Sequence, residues 1–425
     1  MKVWLVTIGE PLPCDPGHPR LLRAGLLAEL LVESGHEVLW WTSAFDHVQK
    51  SHRATADRRL STRTGLDLVL LHGPGYRRNL SLARIRDHRA LARRFAELAP
   101  REPPPDVILA SFPSIELALA AAEYGHARGV PVVLDVRDLW PDIFLDHAPA
   151  PLRPVARLAL APLFAQTKRA FRLASAVTGI TTPFMEWGLR RAGRPVGPLD
   201  RAFPMGYPSR PMEVSLLAEA RAWWASTHGV EGHDGLTAVF TGSFGQQVDL
   251  DTVIEAARHL SGSGVRFVLC GGGENLERCR RRAAGLDNVI LPGWVDAPRI
   301  QALMELADVG LAPYFSRVDF LNSYPNKVLE YLAGGLPVLS AMDGLVGELL
   351  RANACGAVYG PDDSRLRLTA QLVSLRDAPE KLQAMSIRAR ALFEARFDAD
   401  VVYGKMAAYL EAIARAPDHS NVQPA

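Results

Sequence analysis

The residues most suited to chemistry lie between positions 322 and 340, in Asn322-Ser-Tyr-Pro-Asn-Lys-Val-Leu-Glu-Tyr-Leu-Ala-Gly-Gly-Leu-Pro-Val-Leu-Ser340. Asn322 or Ser323 can cap a helix, Pro325 suits its first turn, and Gly334-Gly335 can stop it after about ten residues. Such a helix start presents unpaired N–H groups and the positive dipole end together, which makes it an anion site. Lys327 adds a cation there. Glu330 lies about 7.5 Å beyond Pro325 along the axis, at 1.5 Å per residue. That spacing suits a carboxylate gripping a ribose hydroxyl while the helix start and Lys327 hold a diphosphate.

Three further segments carry polar groups where a core would end. Val133-Leu-Asp-Val-Arg-Asp-Leu-Trp-Pro-Asp142 turns from apolar residues to acids, an arginine and a tryptophan. Buried Asp135 and Asp138 would need partners, and Arg137 is within reach. The segment reads either as a salt-linked strand end or as an acceptor-facing site, with Asp138 orienting an attacking hydroxyl and Trp140 forming a sugar-stacking wall. Thr241-Gly-Ser-Phe-Gly245 and Cys270-Gly-Gly-Gly-Glu274 supply glycines that let backbone approach a phosphate closely. Glu274 stands too near its glycines to be the ribose acid of a dinucleotide fingerprint. The loop from Gly9 leaves the carboxyl end of the first strand, where doubly wound folds bind ligands, so Glu10, Arg20 and Arg23 are acceptor-site candidates. His36, in Gly35-His-Glu-Val, reads as a satisfied turn residue. The strand ends are read as lacking an Asp-x-Asp metal triplet, no His-Glu-x-x-His occurs, and no metal is expected.

Short apolar runs alternate with longer helical patterns, which argues for an α/β chain of parallel sheets with crossover helices. Strands are predicted over 2–7, 37–42, 66–71, 107–111, 130–136 and 176–180, with helices over 21–33 and 115–128 between them. A second series covers 237–241, 265–270, 289–291, 309–313, 338–340 and 357–359, with a helix over 250–260. The resulting division is a domain over 1–195, a link over 196–235, a second domain over 236–395, a last helix over 396–416 and a frayed tail over 417–425. A length of 425 residues fits two domains. Cys14, Cys270, Cys279 and Cys355 are scattered without ligand-like spacing and read as reduced thiols of a cytoplasmic protein. No apolar run approaches the roughly 20 residues of a membrane span.

The stretch Pro325-Asn-Lys-x-x-Glu-Tyr-x-Ala-x-Gly-x-Pro-Val338 resembles the donor-site helix of the retaining nucleotide-sugar glycosyltransferases of family four. The resemblance implies the GT-B fold, two Rossmann-like doubly wound domains facing across a cleft, with the last helix crossing back to the first domain. It also implies a nucleotide-sugar donor, with UDP as the expected nucleotide, and no metal cofactor. Donor binding would fall to Gly242, Ser243, Phe244, Gly245, Gly271, Gly272, Val295, Asn322, Asn326, Lys327 and Glu330. Acceptor binding would fall to Glu10, Arg20, Arg23, Arg137, Asp138 and Trp140, and the catalytic roles to Asp138 and Glu330. Asp138-Leu-Trp-Pro141 is similar to the motif of transferases that handle acetamido sugars in bacterial surface polysaccharides. Three segments depart from common family residues: Arg137 stands for a histidine, Ser243 with Gln246 and Gln247 for basic residues, and Asn322 for a glutamate. Decoration of a soluble metabolite, a UDP-sugar epimerase of the same fold and a non-catalytic nucleotide-sugar binder are the alternatives.

The first 195 residues hold 26 Lys+Arg against 19 Asp+Glu, and the remainder 22 against 27, so an anionic partner is expected on the first half. Seven arginines fall between 77 and 94, namely Arg77, Arg78, Arg84, Arg86, Arg89, Arg93 and Arg94, with Asp87 the only acid. A wheel over 163–174 groups Lys168, Arg169 and Arg172, with Phe164 and Phe171 at the edge of the apolar face. Together they predict a peripheral contact with the anionic cytoplasmic face of a membrane. A lipid-linked glycan is the acceptor this favours, and no nucleic acid is expected as a partner.

Overall fold

A computed structural model describes residues 1–17, 19–79, 81–146, 149–209, 212–232, 234–360 and 363–416. The chain divides into two compact units: Met1–Pro204 with the chain from Val402 onward, and Met205–Val401. The tail expected over 417–425 lies outside the described residues.

Unit 1 is built on β1 (Lys2–Val6), β2 (Glu37–Ser43), the two-stranded β3 (Phe45–Asp46) and β4 (Ser51–His52), β5 (Arg58–Arg63), β6 (Leu66–Leu71), β7 (Val107–Phe112), β8 (Val132–Val136), β9 (Ala176–Gly179) and β10 (Arg201–Ala202). Its main sheet has the order β10-β9-β8-β7-β1-β2-β6-β5. All neighbours pair in parallel except β5, which lies antiparallel on β6. Continuous apolar runs such as Val3-Trp-Leu-Val6 suit strands covered on both faces. On one face Trp4 stacks on Tyr124 at 4.9 Å and meets Trp41 edge-on at 5.2 Å.

Unit 2 carries β11 (Leu236–Thr241), β12 (Val265–Cys270), β13 (Val289–Gly293), β14 (Val309–Ala312), β15 (Val338–Ser340) and β16 (Gly356–Val358), all parallel in the order β13-β12-β11-β14-β15-β16. Both units are therefore Rossmann-like, as expected.

Three features differ from the expected elements. The segment read as a link holds the helix Val214–His228. Its Trp224 is fully buried in the core of unit 2, with the indole N–H donating to Arg299 O at 2.8 Å. The two edge strands β5 and β10 and the short β3–β4 pair were not predicted. The last helix, Ala399–Arg415, begins in unit 2 and runs on in unit 1, where Tyr409 Oη donates to Leu199 O at 2.7 Å. His36 Nε2 lies 2.9 Å from Glu411 Oε1 on that helix, which satisfies the turn residue as expected.

Candidate functional site

In unit 2 the helix Asn326–Ala333 packs on β14 and β15 and reaches the carboxyl end of β11 through Thr241. Gly310 on β14 sets how closely that helix approaches, because a Cβ there would stand 2.3 Å from Tyr331 Cγ. With the ring lying on the strand, Tyr331 Oη accepts the Thr241 N–H at 3.1 Å, and burial pushes its phenol well above the usual range. The neighbouring Glu330 is thereby fixed beneath the end of β11, 4% exposed. Its Oε1 accepts from Tyr207 Oη at 2.9 Å, and its Oε2 accepts from Lys327 Nζ at 2.6 Å and from Thr241 Oγ1 at 3.4 Å. Burial, with Glu330's charge adding to it, pushes the Tyr314 phenol up to about 12. Sequence reasoning found Glu330 and Lys327 but missed Tyr207, Thr241, Tyr314 and Tyr331. Tyr207 sits in Gly206-Tyr-Pro208, inside the segment read as a link, where only an aromatic between two turn residues could have marked it.

The expected cap is corrected. Pro325 occupies the N-cap of the helix Asn326–Ala333 without a side-chain cap bond. Asn322 instead ends the short helix Val318–Leu321, donating from Nδ2 to Val318 O at 2.8 Å. The helix start keeps its positive end without a side-chain acceptor upon it. Asn326 is exposed and Lys327 half-buried beside it.

The glycine turns lace together behind this helix. Gly242 N donates to Cys270 O at 2.9 Å, Gly271 N to Gly293 O at 2.7 Å, and Phe244 N to Gly272 O at 2.9 Å. A Cβ on Gly271, at φ 152°, would stand 1.8 Å from Gly242 O, so packing between turns demands glycine there. Gly272 has nothing within 4 Å of its added Cβ and faces open space. Phe244 and Val295 are buried core side chains, leaving only their backbone for a ligand. Ser243 is exposed and Gly245 half-exposed. An Asp-x-Asp spacing does occur after β11, contrary to expectation: Asp249-Leu-Asp251. Asp249 caps the helix Leu250–His259 through Thr252 N at 3.1 Å, and Asp251 pairs with Arg278 and Arg282.

In unit 1 the buried acid Asp135 is held by Arg23, not by Arg137. Arg23 donates from Nε to Asp135 Oδ2 at 2.8 Å, from Nη2 to Oδ1 at 3.0 Å and from Nη1 to Pro204 O at 2.8 Å. Burial alone would raise the Asp135 carboxyl; the charge and hydrogen bonds of Arg23 override it and hold the group below the usual carboxylate range. Arg23 is 1% exposed, which removes it from any acceptor surface. Arg137 pairs with Glu10 and donates from Nη1 to Ser111 Oγ at 3.3 Å. Glu10 Oε2 in turn accepts the Ala24 N–H at 2.9 Å, capping the helix Arg23–Glu33. Glu10, Arg137 and Asp138 thus gather at the carboxyl ends of β1 and β8. Asp138 is half-buried, its Oδ1 accepting the Leu139 N–H at 2.7 Å, and Arg20 is exposed. Trp140 meets Phe144 at 4.6 Å with the rings tilted by 59°, and lies 17° from parallel with the His88 ring at 6.4 Å.

The basic face is smaller than its arginine count. Arg89 pairs with Glu116, and Arg94 with Asp57 and Glu97, leaving Arg77, Arg78, Arg86 and Arg93 exposed. Phe171, expected at an apolar edge, is enclosed between Phe112 and Trp187. Leu152, Val155 and Leu158 are exposed instead, around the helix Arg153–Ala159. Among the described residues no helix is long and apolar enough to cross a membrane.

Comparison with known proteins agrees with this geometry. Residues 235–377 match the family "Glycosyl transferases group 1". WcaL of Escherichia coli K12, named for a glycosyltransferase role in colanic acid biosynthesis, is 29% identical over 171 residues, which is 39% of this chain and 42% of WcaL. The amylovoran biosynthesis glycosyltransferase AmsK of Erwinia amylovora is 26% identical over 188 residues, 43% of this chain and 46% of AmsK. The match thus spans less than half the length of these relatives. Among solved structures, Anabaena HepE in complex with UDP and glucose superposes with a TM-score of 0.63 at 16% identity, covering 97% of this chain and 100% of HepE. The chain therefore has the GT-B fold, and within it residues 235–377 are similar to the group 1 glycosyl transferases.

Proposed function

We propose that this chain is a retaining glycosyltransferase of bacterial polysaccharide assembly, moving a sugar from a UDP-linked donor to an acceptor hydroxyl. Unit 2 holds the donor and unit 1 the acceptor. The observation that carries this reading is the enclosed Glu330–Lys327 pair one turn into an uncapped helix, inside the segment that matches group 1 transferases. Glu330 takes the donor ribose or sugar, while Lys327 and the helix start meet the charge that develops on the departing diphosphate. Positioning and electrostatic stabilisation of an oxocarbenium-like sugar do the remaining work, with Asp138 orienting the acceptor hydroxyl and no metal called for. The UDP complexes of HepE and the names of WcaL and AmsK support the donor nucleotide and the polysaccharide setting. An acetamido sugar as donor and a lipid-linked glycan as acceptor follow from the resemblance of Asp138-Leu-Trp-Pro141.

UDP release from a panel of UDP-sugars, with and without undecaprenyl-diphosphate-linked glycans, tests the proposal. Release only when both substrates are present is expected. UDP binding without release in any combination would leave a nucleotide-sugar binder. The exposed Leu152, Val155 and Leu158, with Arg153, Arg157 and the exposed arginines of 77–93, fit a peripheral contact with anionic lipid. Co-sedimentation with anionic but not neutral vesicles, reversed by salt, is the expected result.

A further inference from the structure

Unit 1 contains a cavity of about 140 Å³ whose lining the catalytic scheme above leaves unused. It opens between the carboxyl ends of β1, β2 and β7, and Gly9, His47, Tyr76, Arg84, His88 and Ser114 are among the residues around it. We propose that this cavity receives an anionic substituent of the acceptor, a carboxylate or a phosphate, with Arg84 as the group that recognises it. This deepens the transferase reading and rests on its assignment of the acceptor to unit 1.

Arg84 is the reason. Its guanidinium lies 4.4 Å from the Trp140 ring centroid and 5.5 Å from that of Tyr76. Its Nε donates to His88 Nε2 at 3.4 Å and its Nη1 to Asn79 O at 3.2 Å. Among the described residues no carboxylate lies within ion-pairing distance, whereas Arg89 and Arg94 on the same helix, Leu82–Leu98, each have one. Asp138 and Asp87 act on this partly desolvated cation only through space, without a contact ion pair, and its burial lowers the guanidinium pKa, a cost that an incoming anion in direct contact relieves. The histidines add no charge of their own. Burial pushes the His88 imidazole down to about 3, and burial with Lys50 and Arg84 lowers that of His47, whose Nδ1 lies 2.6 Å from Tyr76 Oη. Lys50 sits 4.8 Å over the Tyr76 ring and adds a second cation. The acid in the wall, Asp87, turns its Oδ1 to the Gly75 N–H at 2.8 Å, and burial raises its pKa. Ser114 stands at the start of the fourteen-residue helix Ile115–Arg128 without making a side-chain cap bond, so that helix also offers its positive end. Trp140 ties this cavity to the acceptor candidates, since it stacks on His88 and lies two residues beyond Asp138.

The volume matches a substituent or a single ring: a cavity near 150 Å³ holds benzene. Ligand-observed NMR titration of the full chain with D-glucuronate, α-D-glucose 1-phosphate and D-glucose tests the proposal. The wild type should bind at least one anionic probe about tenfold more tightly than glucose, the size of one charge-assisted hydrogen bond. The stronger of the two distinguishes carboxylate from phosphate. Arg84→Gln should abolish the preference. Ser114→Asp should do the same by supplying an internal counter-charge, and it guards against misfolding because aspartate is a favoured N-cap residue. Equal binding of charged and neutral probes by the wild type, or a preference that survives either substitution in a protein with a native melt, overturns the assignment. UDP titration in parallel separates this outcome from the transferase reading, because all three proteins should bind UDP alike. Failure of the wild type to bind UDP would count against that reading alone.

Discussion

Glu330→Gln separates the two halves of the proposed donor site without changing its shape. In the present arrangement one carboxylate serves two masters. Its Oε2 accepts from Lys327 Nζ at 2.6 Å, and its Oε1 accepts from Tyr207 at 2.9 Å. The amide keeps the Tyr207 bond but releases the lysine cation. A hydrogen bond from ribose to a charged acceptor contributes about 1.5–3 kcal/mol, so UDP affinity should fall roughly 10- to 150-fold. Lys327, no longer held by its neighbour, becomes more available to phosphate, an opposing effect of a few tenths of a kcal/mol for a pair at this spacing. Inorganic pyrophosphate, which has no ribose, should therefore bind the variant as tightly as the wild type or slightly more tightly. Isothermal titration with both ligands, on protein whose melt is native, reads the two effects apart. An equal change for UDP and pyrophosphate, or no change for UDP, would refute the assignment of the carboxylate to ribose.

Gly271→Ala should unfold or strongly destabilise unit 2, because its Cβ would strike Gly242 O, while Gly272→Ala should leave the melt unchanged and weaken UDP binding. An unaltered UDP affinity in the second variant would show that phosphate does not approach that turn. Asp135→Asn should cost about 3–5 kcal/mol by leaving Arg23 buried without its charge partner. Because the folded Asp135 pKa is depressed, its contribution is fully present above about pH 4 and is lost as pH falls through the folded value, so acid melts of the variant should be flatter below that point. Asp138→Asn should abolish transfer and leave UDP affinity intact; a comparable loss of both would move Asp138 out of the acceptor role.

The inner parallel strands were legible because they are covered on both faces and so read as unbroken apolar runs, from Lys2–Val6 to Val338–Ser340, whereas the two-residue parallel edge strand Arg201–Ala202 is too short and too exposed to give that signal. The strand Arg58–Arg63 was invisible for the converse reason. It is a charged sheet edge whose Arg59 pairs with Asp67 and Glu102, and edges of that kind resist pairing with other chains by being polar. The helix Val214–His228 was hidden by flanking Pro208, Gly229 and Gly232, and its one deep anchor, Trp224, carries no periodic signal alone. Glu330 and Lys327 were found because they sit three residues apart on one helix. The partner of Asp135 was not: Arg23 is 112 residues away and Arg137 only two, and spacing along the chain favours the wrong arginine. Arg84 was counted as one charge in a run, since nothing local distinguishes an arginine sandwiched between two aromatics from its solvated neighbours.

Gly310 presents no side chain, yet it fixes the height of the helix Asn326–Ala333 above its sheet. Adding one methyl group would lift Tyr331, and Glu330 with it, by an ångström or more, a displacement that can lower turnover about a hundredfold elsewhere in an active site. The pair formed by positions 310 and 331 thus behaves as a spacer of adjustable thickness. A larger residue on the strand can be accommodated only by a smaller one on the helix, and that exchange forfeits the hydroxyl that accepts the Thr241 N–H. Under the proposed donor assignment, this spacer is a control for fitting a bulkier or slimmer sugar that lies beneath the carboxylate and not among the groups that would touch the ligand.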